Sequence, residues 1–114
     1  MLKYKFEDLE NHLQSFVRKQ VWIAESISRN RHAGHDRHFA TSSKFMLTLE
    51  SVHVSISGAN IYLDGTEGFC YSLSAEQIVE FSIDEVARLT IVEQFESKTE
   101  RQTRLWAVST SQAE

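Results

Sequence analysis

Apolar residues recur at alternating steps of three and four in the first quarter of the chain. The positions that share this stripe are Leu2, Phe6, Leu9, Leu13, Phe16, Gln20, Ile23 and Ile27. Such spacing places side chains on one face of an α-helix. The acidic segment 7–10 lies near its start, where the helix dipole favours anions. The pattern therefore predicts an amphipathic helix over about residues 5–28.

The middle of this stripe also permits a different structure. Val21, Trp22 and Ile23 are strand formers, so a strand within residues 16–27 is the alternative. On a helix, Trp22 would lie opposite the apolar stripe, among polar side chains. A tryptophan in that position needs a covering segment or a binding partner, because tryptophan is enriched among interface anchors.

The hydrophobic period changes to two further along the chain. Residues 29–43 are polar and basic, which predicts a loop. Every second residue from Phe45 to Leu49 is then apolar, and the phase flips at residues 50–51. Such a flip predicts a bulge, a bend or a new strand. We expect antiparallel strands over about residues 44–110.

One turn can be predicted in detail, because residues 57–60 read Ser-Gly-Ala-Asn. This matches a two-residue hairpin loop with glycine at its first central position. The register would set Ile56 opposite Ile61, and His53 opposite Asp64. One face of the hairpin would then be apolar and the other polar, a consistency that favours this register.

Two later regions have weaker patterns. Residues 73–89 contain two segments like helix capping boxes and also an alternating stretch, so we expect short turns around a brief strand. Residues 89–108 predict a long hairpin that turns near residues 97–102, with apolar residues on both faces. The polar tail, residues 109–114, is expected to be loose.

Together these patterns predict one α+β domain over residues 1–114. Its long N-terminal amphipathic helix would pack on a curved antiparallel sheet of about five to six strands. No apolar run approaches the roughly 20 residues of a membrane helix, and the N-terminus lacks a secretory apolar stretch. The single cysteine, Cys70, excludes an internal disulfide and fits a reducing compartment. We therefore expect a cytoplasmic protein.

Charge is unevenly distributed along the chain, although the net charge is only −4. Residues 1–57 carry eight Lys/Arg and six Asp/Glu, whereas residues 58–114 carry four and ten. The basic excess concentrates in Arg29, Arg31, Arg37 and Lys44. Either the two regions face solvent in different directions, or they complement each other between subunits or between helix and sheet. The net acidity argues against general nucleic-acid binding.

A histidine-rich segment is the first candidate site. His32, His35 and His38 are spaced as H-x₂-H-x₂-H, and imidazoles are common metal ligands. On a regular helix the first and third would diverge by roughly 120°, and intervening arginines oppose a cation. We expect a solvated basic loop, with these histidines as weak metal candidates and nucleic-acid contact through residues 29–44 as an alternative.

Other reactive side chains have simple structural explanations. Cys70 lies between aromatic residues and is expected to be a buried, inert thiol. His53 and Asp64 would be cross-strand neighbours, and with Tyr62 they are candidates for the mouth of a pocket. No nucleophile elbow, phosphate-binding loop or dinucleotide fingerprint occurs. The sequence therefore predicts no catalytic residue and no cofactor.

The function expected from these features is a non-catalytic, homodimeric interaction module. Apolar residues that do not take part in the contact between helix and sheet would be buried against a second copy of the chain. A twofold assembly uses the same surface patch on both subunits. These interface candidates are Val21, Trp22, Val92, Trp106 and Val108. A small enzyme or ligand-binding protein, with a pocket between helix and sheet, is the alternative.

Overall fold

The computed structural model describes residues 5–30, 38–96 and 99–108. Side chains are described for all of these except residues 29–30 and 38–41. The helix and strands, in chain order, are α1 (Phe6–Gln14), β1 (Gln20–Asn30), β2 (His38–Val54), β3 (Asn60–Gly65), β4 (Cys70–Ser74), β5 (Ile78–Ile83), β6 (Leu89–Phe95) and β7 (Thr99–Ala107). Short 3₁₀ turns, Thr66–Gly68 and Ala75–Gln77, flank β4.

The helix is much shorter than the sequence pattern predicts. It ends at Gln14, and Ser15 hydroxyl and backbone groups bond the last turn before the chain bends. Arg18 adopts a left-handed conformation with φ of 75°. Its N–H donates to the Leu49 carbonyl, which fixes the bend against β2. The expected helix over residues 5–28 is therefore wrong beyond residue 14.

The second half of the predicted helix is strand β1, the alternative that the strand formers indicate. Val21 and Ile23 face the core and are fully buried, whereas Trp22 between them is half-buried on the opposite face. Residues two apart share a face in a strand. Ile23 and Ile27 are four residues apart, a spacing that fits both the helical period of about 3.6 residues and the strand period of two. The helical pattern therefore extends into a segment that forms a strand.

All seven strands form one antiparallel sheet in the order β4-β3-β2-β1-β7-β6-β5. The fold class expected from the sequence is therefore wrong: the described residues are mostly sheet and include one short α-helix, α1. The edge strands β4 and β5 are joined through the turn Ala75–Gln77 alone. So short a connection requires the sheet to curve until its two edges approach each other.

The inside of this curve holds the core, and α1 covers part of it. Leu9, Leu13 and Phe16 insert among inward-facing residues of the sheet. The sheet contributes Val21, Ile23, Leu47, Leu49, Val52, Ile61, Leu63, Tyr71, Leu73, Ile78, Leu89, Ile91 and Leu105. Within the described part of the chain, no helix is long and apolar enough to cross a membrane.

The predicted basic loop is largely the distal part of a long hairpin. β1 and β2 pair from Gln20 opposite Thr48 to Asn30 opposite His38, so residues 38–43 are strand. Only residues 31–37 separate the two strands. The phase flip at residues 50–51 is confirmed as a shift of the β2–β3 register between Leu49 and Ser51.

The β2–β3 register differs by two residues from the sequence prediction. Val54 lies opposite Ile61, and His53 lies opposite Tyr62 rather than Asp64. The loop is longer than two residues because Ser55 pairs with Asn60, and Ile56 in the loop is fully exposed. A shift of two preserves the faces, so the predicted division into apolar and polar sides remains.

The ambiguous region 73–89 resolves as the sequence suggests, into turns around a brief strand. The turn Ala75–Gln77 precedes β5, and a tight turn connects β5 to β6. In that second turn, Asp84 Oδ1 accepts hydrogen bonds from the N–H groups of Val86 and Arg88. The hairpin of β6 and β7 follows, with Phe95 opposite Thr99.

Candidate functional site

The two tryptophans lie directly opposite each other on the outer face of the sheet. Trp22 of β1 pairs with Trp106 of β7 and, on its other side, with Met46 of β2. Both indole rings are half-buried, and Met46 is 46% exposed. These three side chains lie on the middle strands β1, β2 and β7.

Two cations lie over these indole rings. The Lys44 Nζ is 4.5 Å from the Trp22 ring centroid and 5.4 Å from that of Trp106. The guanidinium of Arg88 is 5.0 Å from the Trp106 centroid. Cation–π contacts hold the long basic side chains against the aromatic surface. We call Trp22, Trp106, Met46, Lys44 and Arg104 the aromatic–basic end of the outer face.

The opposite end of the same outer face is acidic. Glu80 of β5 is exposed and pairs with Val92, while Glu100 of β7 is half-buried beside Gln102. Along β7 the outward residues are Glu100, Gln102, Arg104 and Trp106. One strand therefore runs from carboxylate to cation to aromatic ring. We call Glu100 the acidic end of the outer face; Glu80 lies two strands across from β7, level with Gln102.

A shallow hollow of about 470 Å³ lies near the middle of this outer face. Its lining is formed by Ala24, Glu25, Ser26, Ser42, Ser43, Lys44, Gln102 and Arg104. Small side chains on β1 leave room between Lys44 and Arg104, which flank Ala24 on the two neighbouring strands. The hollow can receive a side chain from another surface.

The structure separates the interface candidates that the sequence groups together. Val21 is fully buried in the core and Val92 is 8% exposed, so neither is free to contact a partner. Trp22, Trp106 and Val108 are half-buried. The sequence misses Met46, Lys44 and Arg104 as their neighbours, because strand pairing alone brings β1, β2 and β7 together.

A second polar cluster lies inside the curve. Glu93 is fully buried, and its carboxylate accepts hydrogen bonds from Arg101 Nε at 2.7 Å and from Arg101 Nη2 at 2.9 Å. It also accepts the Ser74 N–H at 2.7 Å. Arg101 further donates to the Ser72 carbonyl at 2.8 Å and to Glu25 at 3.3 Å. This cluster ties edge strand β4 to strands β1, β6 and β7.

Tyr71 and Thr103 complete this inner cluster. Their hydroxyl oxygens are 2.7 Å apart, and the Tyr71 hydroxyl also donates to Glu25 at 3.3 Å. Burial raises the pKa of Tyr71 to about 12, although the Thr103 bond and the Arg101 charge oppose the rise. Burial alone would lower the pKa of Arg101, but the hydrogen bonds and charge of Glu93 outweigh it and raise that pKa.

His53, Asp64 and Tyr62 lie close together on the outer face of β2 and β3, on the side of the sheet opposite the core. The His53 Nδ1 is 3.1 Å from Asp64 Oδ2, and the His53 ring lies 5.2 Å from the Tyr62 ring. Asp64 also accepts a hydrogen bond from Ser51. The hollows described here are lined by other residues.

Cys70 joins this group and is exposed, which corrects the expectation of a buried thiol. Partial desolvation and the neighbouring Asp64 carboxylate raise its pKa. A nucleophilic cysteine needs a lowered pKa, and here Asp64 rather than His53 is the neighbour of the thiol. The arrangement opposes thiolate formation.

The histidine-rich segment contributes little to this description. His32 and His35 lie outside the described residues, and only the backbone of His38 is described, at the start of β2. Among the described residues, no group of His, Cys, Asp or Glu is arranged to hold a metal ion. The metal candidates therefore stay a prediction.

A further hollow of about 370 Å³ lies between the end of α1 and the β5–β6 turn. Its lining is formed by His12, Ser15, Phe16, Lys19, Ile83, Val86, Ala87, Leu89 and Ala107. The sequence expects a pocket between helix and sheet, but with other residues at its mouth. The residues that line this hollow come from segments that are distant in the sequence, and local sequence patterns do not show that these segments come together.

No family model and no curated protein matches this chain. The fold is similar to that in the crystal structure of the Bacillus subtilis YojF protein, with a TM-score of 0.68. The match covers 94% of this chain and 95% of that one, at 14% sequence identity. A likeness at this identity shows a shared fold.

Proposed function

We propose that this chain is a non-catalytic interaction module that forms a homodimer through the outer face of its sheet. The observation that supports this most is the polarity of that face. Strand β7 carries both charges on its outward side, with Arg104 and Trp106 toward one end, Glu100 toward the other and Gln102 between them. A twofold assembly buries the same patch on both partners, so the patch must complement itself.

This face is self-complementary under one simple operation. A twofold axis that lies between two sheets and runs across their strands reverses strand direction. It therefore sets the aromatic–basic end of one copy against the acidic end of the other. With the axis crossing β7 at Gln102, Arg104 of each copy would face Glu100 of the other, which gives one ion pair at each end of the interface. Such pairing steers association and suppresses wrong partners.

The residue types at the aromatic–basic end suit a protein surface. Tryptophan, methionine and arginine are enriched at protein interfaces. Lys44 and Arg88 already lie over the indole rings, so less ring face is free for a nucleic-acid base to stack on. The net charge of −4 opposes a polyanion as well. A nucleic-acid strand is therefore the weaker candidate for this face.

The test is the molar mass of the protein in solution at micromolar concentration, measured by light scattering. We expect the mass of two chains for the wild type, and of one chain for the double variant Trp22→Ser, Trp106→Ser. The matched control is Tyr62→Ser, which removes a half-buried aromatic ring from the outer face of β3. It should remain dimeric.

Two results would argue against the proposal. A wild-type mass of one chain over the whole accessible concentration range would exclude the homodimer. A dimer that survives the double tryptophan change would place the interface elsewhere. Binding of a poly-dT oligonucleotide by the wild type, lost in the double variant, would instead favour the nucleic-acid alternative.

A further inference from the structure

The hollow between α1 and the β5–β6 turn has a floor of core residues and an open apolar edge. Phe16 and Leu89 on its floor are 8% and 0% exposed. At its edge, Ile83 is 41% exposed and Val86 is 64% exposed. Its volume of about 370 Å³ lies in the range of small-molecule sites.

The exposed edge belongs to a firmly held turn. Asp84 Oδ1 accepts the N–H groups of Val86 and Arg88, at 3.0 and 2.9 Å. Backbone bonds join Asp84 to Ala87 and Arg88 as well. Ala87 is held at a φ of 61°, a conformation that alanine seldom adopts. The turn therefore fixes the Val86 side chain in solvent beside the hollow. In that position the side chain does not contribute to packing of the core.

The polar residues around the hollow favour an anion. Lys19 supplies a positive charge, and His12 and Ser15 supply groups that can donate hydrogen bonds. The backbone of Lys19 is fixed, because its carbonyl accepts the Leu49 N–H at 3.0 Å. Among the described residues, the lining includes no carboxylate. Apolar walls and a cation at the rim together match one chemical class of ligand.

We propose that this hollow binds a small carboxylic acid with an apolar tail. The tail would lie against Phe16, Leu89 and Val86, and the carboxylate would pair with Lys19 beside His12. This site lies at the α1 end of the molecule and its lining shares no residue with the outer-face hollow. The proposal is therefore independent of the homodimer.

Calorimetric titration of the full-length protein with decanoate, below its micellar concentration, tests the site. We expect saturable binding of one molecule per chain. Lys19→Met should weaken it about tenfold, since a tenfold loss corresponds to one modest ion pair of about 1.4 kcal/mol. Val86→Asp should weaken it further, by placing a negative charge and a polar group at the apolar edge.

Matched ligands and variants separate this site from nonspecific adsorption. Acetate lacks the tail and decyltrimethylammonium reverses the charge, so both should bind at least tenfold more weakly than decanoate. Lys5→Met removes an exposed cation outside the lining of the hollow and should leave the affinity unchanged. Absence of saturable decanoate binding would overturn the proposal, as would equal affinity in Lys19→Met and Val86→Asp, with circular dichroism confirming that both variants are folded.

Discussion

Arg101 of the inner cluster and Trp106 of the aromatic–basic end both lie on β7, on opposite faces of the sheet, and both surroundings combine aromatic rings with basic side chains. Inside, Arg101 is 19% exposed and bonds two carboxylates and a carbonyl. Outside, Arg104 is exposed, and its nearest described side-chain bond is a 3.5 Å contact to Gln102. The two arginines of β7, Arg101 and Arg104, therefore differ strongly in burial and in the number of hydrogen bonds that they make.

The difference follows from the cost of burying charge. A buried carboxylate such as Glu93 is tolerated only when its lone pairs are satisfied, so the inner groups bond one another and close the curved sheet. The outer groups keep contact with water and remain available. We infer that the inner cluster holds the fold together, whereas the outer face is available for binding.

The largest expected effect comes from breaking the inner ion pair. Arg101→Met leaves the buried Glu93 carboxylate without its main partner, and loss of one member of such a pair typically costs about 3–5 kcal/mol. The matched control is Arg104→Met, three residues further along β7 on the outer face, which should change the free energy of unfolding by less than about 1 kcal/mol. Urea denaturation measures both. Equal losses in the two variants would contradict the contrast between the two faces.

The Tyr71 hydroxyl gives the inner cluster a pH dependence. Its pKa is raised to about 12 in the folded protein, from about 10 in the unfolded chain. Between these values the unfolded chain releases the proton first, so the free energy of unfolding should fall as the pH rises. This contribution is fully present below pH 10. Tyr71→Phe should flatten the fall, as measured by urea denaturation over this range; an equally steep fall in the variant would refute the assignment to Tyr71.

A smaller effect is expected from Thr103→Val, which removes the 2.7 Å bond to Tyr71 while preserving shape. The net value of a buried hydrogen bond is about 1 kcal/mol. Thermal and urea unfolding should both show a loss of that size. A variant as stable as the wild type would show that Glu25 alone satisfies the Tyr71 hydroxyl.

The smallest predicted effect concerns Cys70. Because the Asp64 carboxylate contributes to its raised pKa, Asp64→Asn should increase the thiolate fraction. We expect alkylation by iodoacetamide near neutral pH to become a few-fold faster, since thiolate is the nucleophile. Ser51→Ala, which removes another neighbour of Asp64 without changing its charge, serves as the control. An unchanged rate in Asp64→Asn would remove Asp64 as a cause.

Local patterns predicted the parts of the fold that depend on near neighbours. The start of α1, the bulge near Glu50 and the two faces of the β2–β3 hairpin were all readable from residue spacing. The β2–β3 register was wrong by two, because Ser55 pairs with Asn60 and lengthens the loop. A register shift of two residues leaves every side chain on the same face of the sheet, so the hydrophobic pattern cannot distinguish the two registers.

The missed strand β1 and the missed burial of Glu93 have a different physical origin, because both depend on contacts with other strands. Glu25 interrupts the inward alternation of Val21 and Ile23, so β1 did not read as a strand. That glutamate faces inward because Arg101 lies 76 residues away in the sequence and 3.3 Å away in space. The partners of Glu93 are nearer, since Arg101 is 8 and Ser74 is 19 residues away, but they lie on other strands. The burial of Glu93 therefore could not be distinguished from an ordinary acidic surface. Sequence spacing carries no information on such pairs.

Two charge-reversed variants give the sharpest test of the proposed homodimer. One carries Arg104→Glu at the aromatic–basic end, and the other carries Glu100→Lys at the acidic end. In the proposed dimer, each variant alone sets like charges against each other at both ends of the interface, whereas a mixture restores opposite charges at both ends.

Analytical ultracentrifugation of each variant alone and of their equimolar mixture gives the result. We expect each folded variant to be monomeric alone and the mixture to form a one-to-one heterodimer. A mixture that stays monomeric, or single variants that dimerise as well as the wild type, would contradict a self-complementary outer face.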